Sequence, residues 1–256
     1  MLAAGLVLAQ IATAQVPPGL SCLSKYYVGA AAERDGGWVL ALPDGGALPW
    51  NDGRTKRFDE QIDSPDLKDM FSVRYRPGAI QPVSEPGDDP GRIRLDALFK
   101  ATYGERADAV DLVHVDFVGE CVAFHRRAAP ALERVSHRLE ALLAEDPSLR
   151  AWLTPLGGTF LWRKIANTGR QSPHSYGIAI DLNVAHSFYW EWAKPREPVR
   201  WQSSTPQALV DAFEAEGFIW AGRWHHYDTM HFEWRPELRD PSCFPPSPSK
   251  GQGVHP

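Results

Sequence analysis

The chain is poor in cysteine, carries no basic excess and has no apolar run long enough to span a bilayer comfortably. There are three cysteines, Cys22, Cys121 and Cys243. None lies near the histidine and aspartate groups described below, so cysteine is not a candidate metal ligand. An exported protein could pair two of them and leave the third over, and the spacing does not say which two. The net charge is -5, which argues against a nucleic-acid surface, because phosphate binding needs a lysine and arginine surplus. No internal repeat is visible, and no segment beyond the N-terminus reads as transmembrane.

What is present is ample material for a core. The 256 residues are 43% hydrophobic and include ten tryptophans, enough for one large domain or two small ones. Residues 1–14 are apolar and end in Ala12-Thr13-Ala14, which resembles an A-x-A cleavage site. They read as a signal peptide or its remnant, although the positively charged start of such a segment is missing. Export to the periplasm or the exterior is therefore expected.

Residues 15–109 read as a loop-rich extension packed on the core. From Asp35 to about Gly91 this segment is rich in Gly, Pro and Asp, which favours turns. Trp38, Trp50, Phe58, Met70, Phe71 and Tyr75 are spread through it and can still pack on the main domain. Residues 110–243 are expected to form the main domain, and 244–256 a disordered Pro/Ser/Gly-rich tail.

Within the main domain, Val110 to Phe124 is a β-favouring run. A helix follows, with Pro130 in its first turn and Leu132, Val135, Leu139, Leu142 and Leu143 on one face. His137 on that helix reads as a rim histidine. Ser204-Thr205-Pro206 is expected to open another helix, and Gly217 to stop it.

Two blocks carry chemistry. The first is Ser172-Pro-His174-Ser-Tyr-Gly177-Ile-Ala179-Ile-Asp181, and the second is Asp228-Thr-Met-His231-Phe-Glu233. His174 and Asp181 are seven apart. On a helix they would sit about 10 Å apart along the axis, too far for one zinc. Gly177 and the β-branched Ile178 and Ile180 favour a turn followed by a strand. Ala179 and Asp181 then share one face, and His174 folds back over the turn to meet Asp181. Met230 to Trp234 alternates as a half-buried strand does, which points His231 and Glu233 to the polar face.

Three protein ligands plus a free position make a catalytic zinc site, and a spare acid is what metal-assisted hydrolysis needs. His174, Asp181 and His231 are the candidate ligands and Asp228 the spare acid. On spacing alone, a buried ion pair around Asp181 explains the same residues.

The full pattern is more specific. Ser172-x-His174-x-x-Gly177-x-Ala179-x-Asp181 followed by Asp228-x-x-His231-Phe resembles the zinc peptidases that cut D-amino-acid bonds in peptidoglycan. That group includes D-alanyl-D-alanine carboxypeptidases and dipeptidases and the L-alanyl-D-glutamate endopeptidases of phage and bacteria. The hedgehog signalling domain shares their fold. The clear resemblance runs from about Val110 to Leu238, and residues 15–109 match more loosely.

The resemblance implies one zinc ion held by His174, Asp181 and His231, with Asp228 as general base and acid. Many carboxypeptidase members have glutamate at that place. The endopeptidase branch usually has aspartate, as here. Arg163 matches an arginine that stabilises the developing oxyanion, with Arg170 as its competitor and a plain surface charge as the bland alternative. Ser172 and Trp224 are expected to line the substrate groove, Trp224 equally to join the core, and Trp220 to be core. His225 and His226 read as rim residues, and Glu233 as a supporting acid. The implied partner is a peptidoglycan peptide. The expected fold is α+β, with a small antiparallel sheet carrying the zinc ligands and helices packed on one face.

Overall fold

The computed structural model describes residues 15–193 and 199–245. The signal-like segment 1–14 and most of the expected tail lie outside the described residues. The architecture is α+β, with seven α-helices and three small antiparallel sheets among the described residues.

The N-terminal part is more regular than its turn-rich composition suggests. Helix α1 (Pro18–Tyr26) leads into the meander β1 (Ala30–Arg34), β2 (Gly37–Ala41) and β3 (Ala47–Pro49), followed by α2 (Phe58–Asp63) and α3 (Asp96–Tyr103). Leu20, Leu23, Leu40, Leu67, Met70, Leu98 and Phe99 from this region are buried in the same core as the residues that follow. The segment packs on the main domain because its apolar side chains are spaced along it and each finds that core. Cys22 on α1 is disulfide-bonded to Cys243, with a sequence separation of 221, while Cys121 is free and exposed. This link fastens the start of the described chain to its end.

The expected β run after Val110 is a hairpin rather than one strand: β4 (Leu112–Phe117) pairs with β5 (Glu120–His125). Val118 and Gly119 make the turn, both with positive φ. Helix α4 (Ala129–Glu145) follows and buries Leu132, Val135, Leu139 and Leu143 at helical spacing. After α5 (Arg150–Leu153) comes the strand β6 (Ala179–Asp181), then α6 (Gln207–Glu214), β7 (Phe218–Trp220), β8 (His231–Trp234) and α7 (Pro236–Arg239). Helix α6 starts one residue later than the Ser-Thr-Pro signal implies. Pro206 itself is the N-cap, and no side chain caps the helix. Gly217, at φ 85°, turns the chain after it.

The sheet β6-β8-β7 holds the site. Its register places Asp181 opposite His231, Ile180 opposite Phe232 and Ala179 opposite Glu233. Alternation therefore sends Ile180 and Phe232 to one face and Asp181, His231 and Glu233 to the other. The apolar face is sealed by aromatic packing. Phe213 of α6 stacks on Phe232 with ring centroids 4.0 Å apart, and Phe117, Phe218 and Trp220 surround them. Each such buried ring contributes roughly 1.5–3 kcal/mol by leaving water. On the other face Asp181 and His231 line a cleft, while Ile219, which shares that face with Glu233, packs with Leu238 of α7. Trp220 is fully buried and donates its Nε1–H to the Thr229 carbonyl at 2.9 Å, so it belongs to the core as its sequence context suggests.

Candidate metal centre and cleft

His174 sits on a short 3-10 turn, Pro173–Tyr176, and not on the sheet. Gly177 ends that turn in the left-handed conformation at φ 64° and ψ 31°. Its missing side chain matters sterically as well: a Cβ there would lie 2.7 Å from Leu112 Cδ2 and 3.0 Å from the His125 backbone nitrogen. The chain can thus reverse between His174 and Asp181 while pressed against the β4–β5 hairpin. The His125 N–H donates to the Gly177 carbonyl at 2.7 Å and ties the turn down.

The reversal brings three ligand-type atoms together. His174 Nε2 is 3.1 Å from His231 Nδ1 and 3.2 Å from Asp181 Oδ1, and His231 Nδ1 is 2.9 Å from Asp181 Oδ1. Tetrahedral zinc with bonds of about 2.0–2.1 Å separates its ligand atoms by about 3.3 Å. The observed triangle is within a few tenths of an ångström of that size. His174, Asp181 and His231 are, among the described residues, a group with its ligand atoms close enough to hold one ion.

The surroundings orient these atoms. The His174 Nδ1 lies 2.6 Å from the Thr159 carbonyl, which can only accept. The proton is therefore on Nδ1, and Nε2 turns its lone pair toward the other two groups. His231 has its Nε2 3.8 Å from Glu233 Oε2. Glu233 is fully buried and is held by Arg94 at 3.2 Å and Arg235 at 3.1 Å, and Arg235 continues to Glu237 at 2.6 Å. Burial alone would raise the Glu233 carboxyl, but the two guanidiniums outweigh it and hold it down at about 2. A carboxylate behind the imidazole is the usual support for a metal-binding histidine. The supporting-acid reading of Glu233 thus agrees with where it lies.

Electrostatics favour a cation at the triangle. Burial works against a charged His231, yet the Asp181 and Glu233 carboxylates raise it to about 10. Burial also opposes the Asp181 anion, and His174 and His231 overcome it and hold this carboxyl far below the usual range. A field that binds a proton this firmly is also a field for a divalent metal. Two imidazoles and one carboxylate suit zinc with an open fourth position, and the residues present fit that ion.

Asp228 lies just ahead of β8, where its N–H bonds the Ala221 carbonyl at 3.2 Å and its carbonyl accepts from His231 N–H at 3.3 Å. Its Oδ1 is buried with no hydrogen-bond partner. Burial and the neighbouring Asp181 charge push its carboxyl up to about 7, the range of a working general base.

A cavity of about 360 Å³ gathers the groups expected from the sequence: Arg163, Ser172, His174, Asp181, Trp224, Asp228 and His231 all line it. Trp224 is buried and donates Nε1–H to the Pro90 carbonyl at 2.6 Å, so it serves core and cleft together. Arg163 is exposed at the rim, and Arg170 also lines the cavity, with its Nε buried and unpaired. His226 reaches the cavity, whereas His225 is buried and does not line it. Sequence reading missed Asp89, Arg92, Arg94 and Thr159, which build or support this region from 50 or more residues away from β8 or from the loop before His174.

Residues 166–234 match the model of a family described as D-alanyl-D-alanine carboxypeptidase. The match covers both motif blocks and all four of His174, Asp181, Asp228 and His231, so the segment that carries the candidate metal centre is similar to this family.

Proposed function

We propose that the protein is a zinc-dependent hydrolase of a peptide bond involving a D-amino acid in peptidoglycan stem peptides, either a D,D-carboxypeptidase or an endopeptidase of the L-alanyl-D-glutamate type. The observation that carries this reading is the convergence of His174 Nε2, Asp181 Oδ1 and His231 Nδ1 in one cavity with Asp228, whose Oδ1 has no hydrogen-bond partner. In this reading one zinc ion is held by those three atoms, and it supplies Lewis-acid activation of water and of the scissile carbonyl.

The chain's own groups do the rest. Asp228 takes the proton of the attacking water and returns it to the leaving amine, a role suited to a carboxyl raised to about 7. Arg163 holds the oxygen of the scissile carbonyl as it becomes negative. Arg163→Ala should lower kcat by roughly a hundred- to a thousandfold, and a near-neutral result transfers that role to Arg170. Ser172 and Trp224 shape the groove against the peptide. Aspartate at position 228 favours the endopeptidase branch.

Export is part of the reading. The Cys22–Cys243 disulfide supports it, because such bonds persist in oxidising compartments. No helix among the described residues is long and apolar enough to cross a membrane.

The test is digestion of purified peptidoglycan, with the new termini identified by mass spectrometry. Loss of a terminal D-residue identifies a carboxypeptidase, and new internal termini identify an endopeptidase. Full zinc occupancy with no cleavage of any muropeptide would favour a non-catalytic, zinc-stabilised binding domain of the hedgehog type.

A further inference from the structure

One wall of the cavity beside Asp228 is built of aromatic rings, Tyr189, Trp190 and Trp192. Among the described residues Trp192 is the aromatic side chain left exposed, at 57%. A single exposed apolar residue is ordinary on a surface, but this one stands in the wall of the candidate site.

The backbone ties that wall to Asp228. Tyr189 and Asp228 form an antiparallel bridge, a pairing that sets two Cα atoms about 4.5–5.5 Å apart. On either side of it the Trp190 N–H donates to the Tyr227 carbonyl at 3.0 Å and the Thr229 N–H to the Phe188 carbonyl at 2.9 Å. The Trp192 N–H then donates to the Tyr189 carbonyl at 3.0 Å, within the 3-10 turn Trp190–Ala193. The rings of Tyr189 and Trp192 meet edge to face with centroids 5.8 Å apart. Such a contact covers at most one face of the indole. With Trp192 more than half exposed, its other face is open.

An open indole face carries the negative side of the ring quadrupole and attracts C–H groups laid flat on it. The amino acids of a stem peptide offer methyls, carboxylates and a diamino side chain, none of them broad and flat. The sugar that carries the peptide is both: a pyranose ring presents several C–H bonds from one face and hydroxyls at its rim. Glu191 lines the same cavity, and carboxylate oxygens accept from hydroxyls.

We propose that Tyr189 and Trp192 form a sugar subsite, on which the N-acetylmuramyl ring bearing the stem peptide stacks, so that the protein cuts close to the glycan. This rests on the peptidase reading above and selects its bond. The bond between the first and second residues lies about two residue lengths, roughly 7 Å, from that ring. This suits a wall that begins at the residue bridged to Asp228. The bond to the terminal D-residue lies about three residue lengths, on the order of 10 Å, farther away. A sugar held by Trp192 therefore brings the L-alanyl-D-glutamate bond to the metal centre.

The experiment gives the zinc-loaded full-length protein two substrates that differ only in the sugar: an N-acetylmuramyl pentapeptide and the same pentapeptide capped with a lactyl group. Wild type should cut after the first residue and favour the sugar-bearing substrate in kcat/KM by about tenfold. Trp192→Ala should remove most of that preference, and Trp192→Phe, with a smaller ring, should restore part of it. An exposed side chain can be removed without opening the core, and an unchanged Tm verifies this. No preference in wild type, or equal losses on both substrates in Trp192→Ala, would overturn the sugar subsite. Release of the terminal D-residue alone would overturn it too, while leaving the peptidase reading intact. A wild type that releases no new termini from either substrate defeats the peptidase reading itself. The subsite is then judged by titrating the peptide-free N-acetylglucosaminyl-N-acetylmuramic acid disaccharide while following tryptophan fluorescence. Binding that Trp192→Ala loses supports it, and no binding by wild type, or equal binding by the variant, overturns it.

Discussion

Replacing Gly177 with alanine tests how the turn builds the site. Gly177 is left-handed at φ 64°, a conformation that costs a residue with a side chain roughly 1–2 kcal/mol. The new methyl would stand 2.7 Å from Leu112 Cδ2 and 3.0 Å from the His125 backbone nitrogen. Leu112 is a side-chain end and can yield. His125 cannot move freely, because its N–H is bonded to the Gly177 carbonyl at 2.7 Å. Overpacking of this kind adds about 1–3 kcal/mol, while the stiffer unfolded chain returns about 0.4–1 kcal/mol. The net loss is about 2–4 kcal/mol, or a fall in Tm on the order of 5–15 °C for a chain of this size. The control is Gly119→Ala in the β4–β5 turn, where φ is 87° and a Cβ meets nothing within 4 Å. It carries only the conformational term, so it should lose about 1 kcal/mol. Thermal melts of the zinc-free proteins separate the two terms, and zinc titrations of both should show weaker binding only for Gly177→Ala. Equal melting of the two variants would refute the claim that the hairpin presses the turn into shape.

Other outcomes follow from single features of the fold. His125 is held neutral: burial lowers its pKa to about 4, and its Nδ1 accepts the Arg127 N–H at 3.0 Å. The unfolded chain therefore binds a proton below about 6.5 that the folded chain refuses until about 4, and stability is lost as pH falls through that window, by at most about 3 kcal/mol. Denaturant titrations at several pH values should show this loss, and His125→Gln should flatten it. Reduction of Cys22–Cys243, which closes a loop of 221 residues, should cost about 2–5 kcal/mol without removing any group of the cleft. Melts with and without reductant measure it, and an unchanged Tm would mean that α1 stays docked without the link.

How far the sequence could be read depended on whether the determinants were local. Gly177 followed by the β-branched Ile178 and Ile180 signalled the turn and strand, and period-two alternation placed Asp181, His231 and Glu233 on one face. The structure has that arrangement because both rules act over a few residues. The hairpin within 112–125 was less visible, since Val118 takes a positive φ that its β-branched side chain does not advertise. Helix α6 was placed within a residue, but its start at a proline N-cap without a side-chain cap was not visible in Ser204 and Thr205. The supporting groups were beyond reach. Asp89 meets His226 across 137 residues, Arg94 meets Glu233 across 139, and Cys22 meets Cys243 across 221. No periodicity connects such pairs, because tertiary packing alone sets them.

The central claim is that His174, Asp181 and His231 hold one zinc ion while Asp228 moves the proton. It is tested most directly by measuring zinc content and peptidoglycan hydrolysis together in wild type, His231→Ala and Asp228→Asn. The account predicts one zinc per chain and turnover in wild type, neither in His231→Ala, and zinc without turnover in Asp228→Asn. Full activity in Asp228→Asn, or undiminished zinc in His231→Ala, would contradict it.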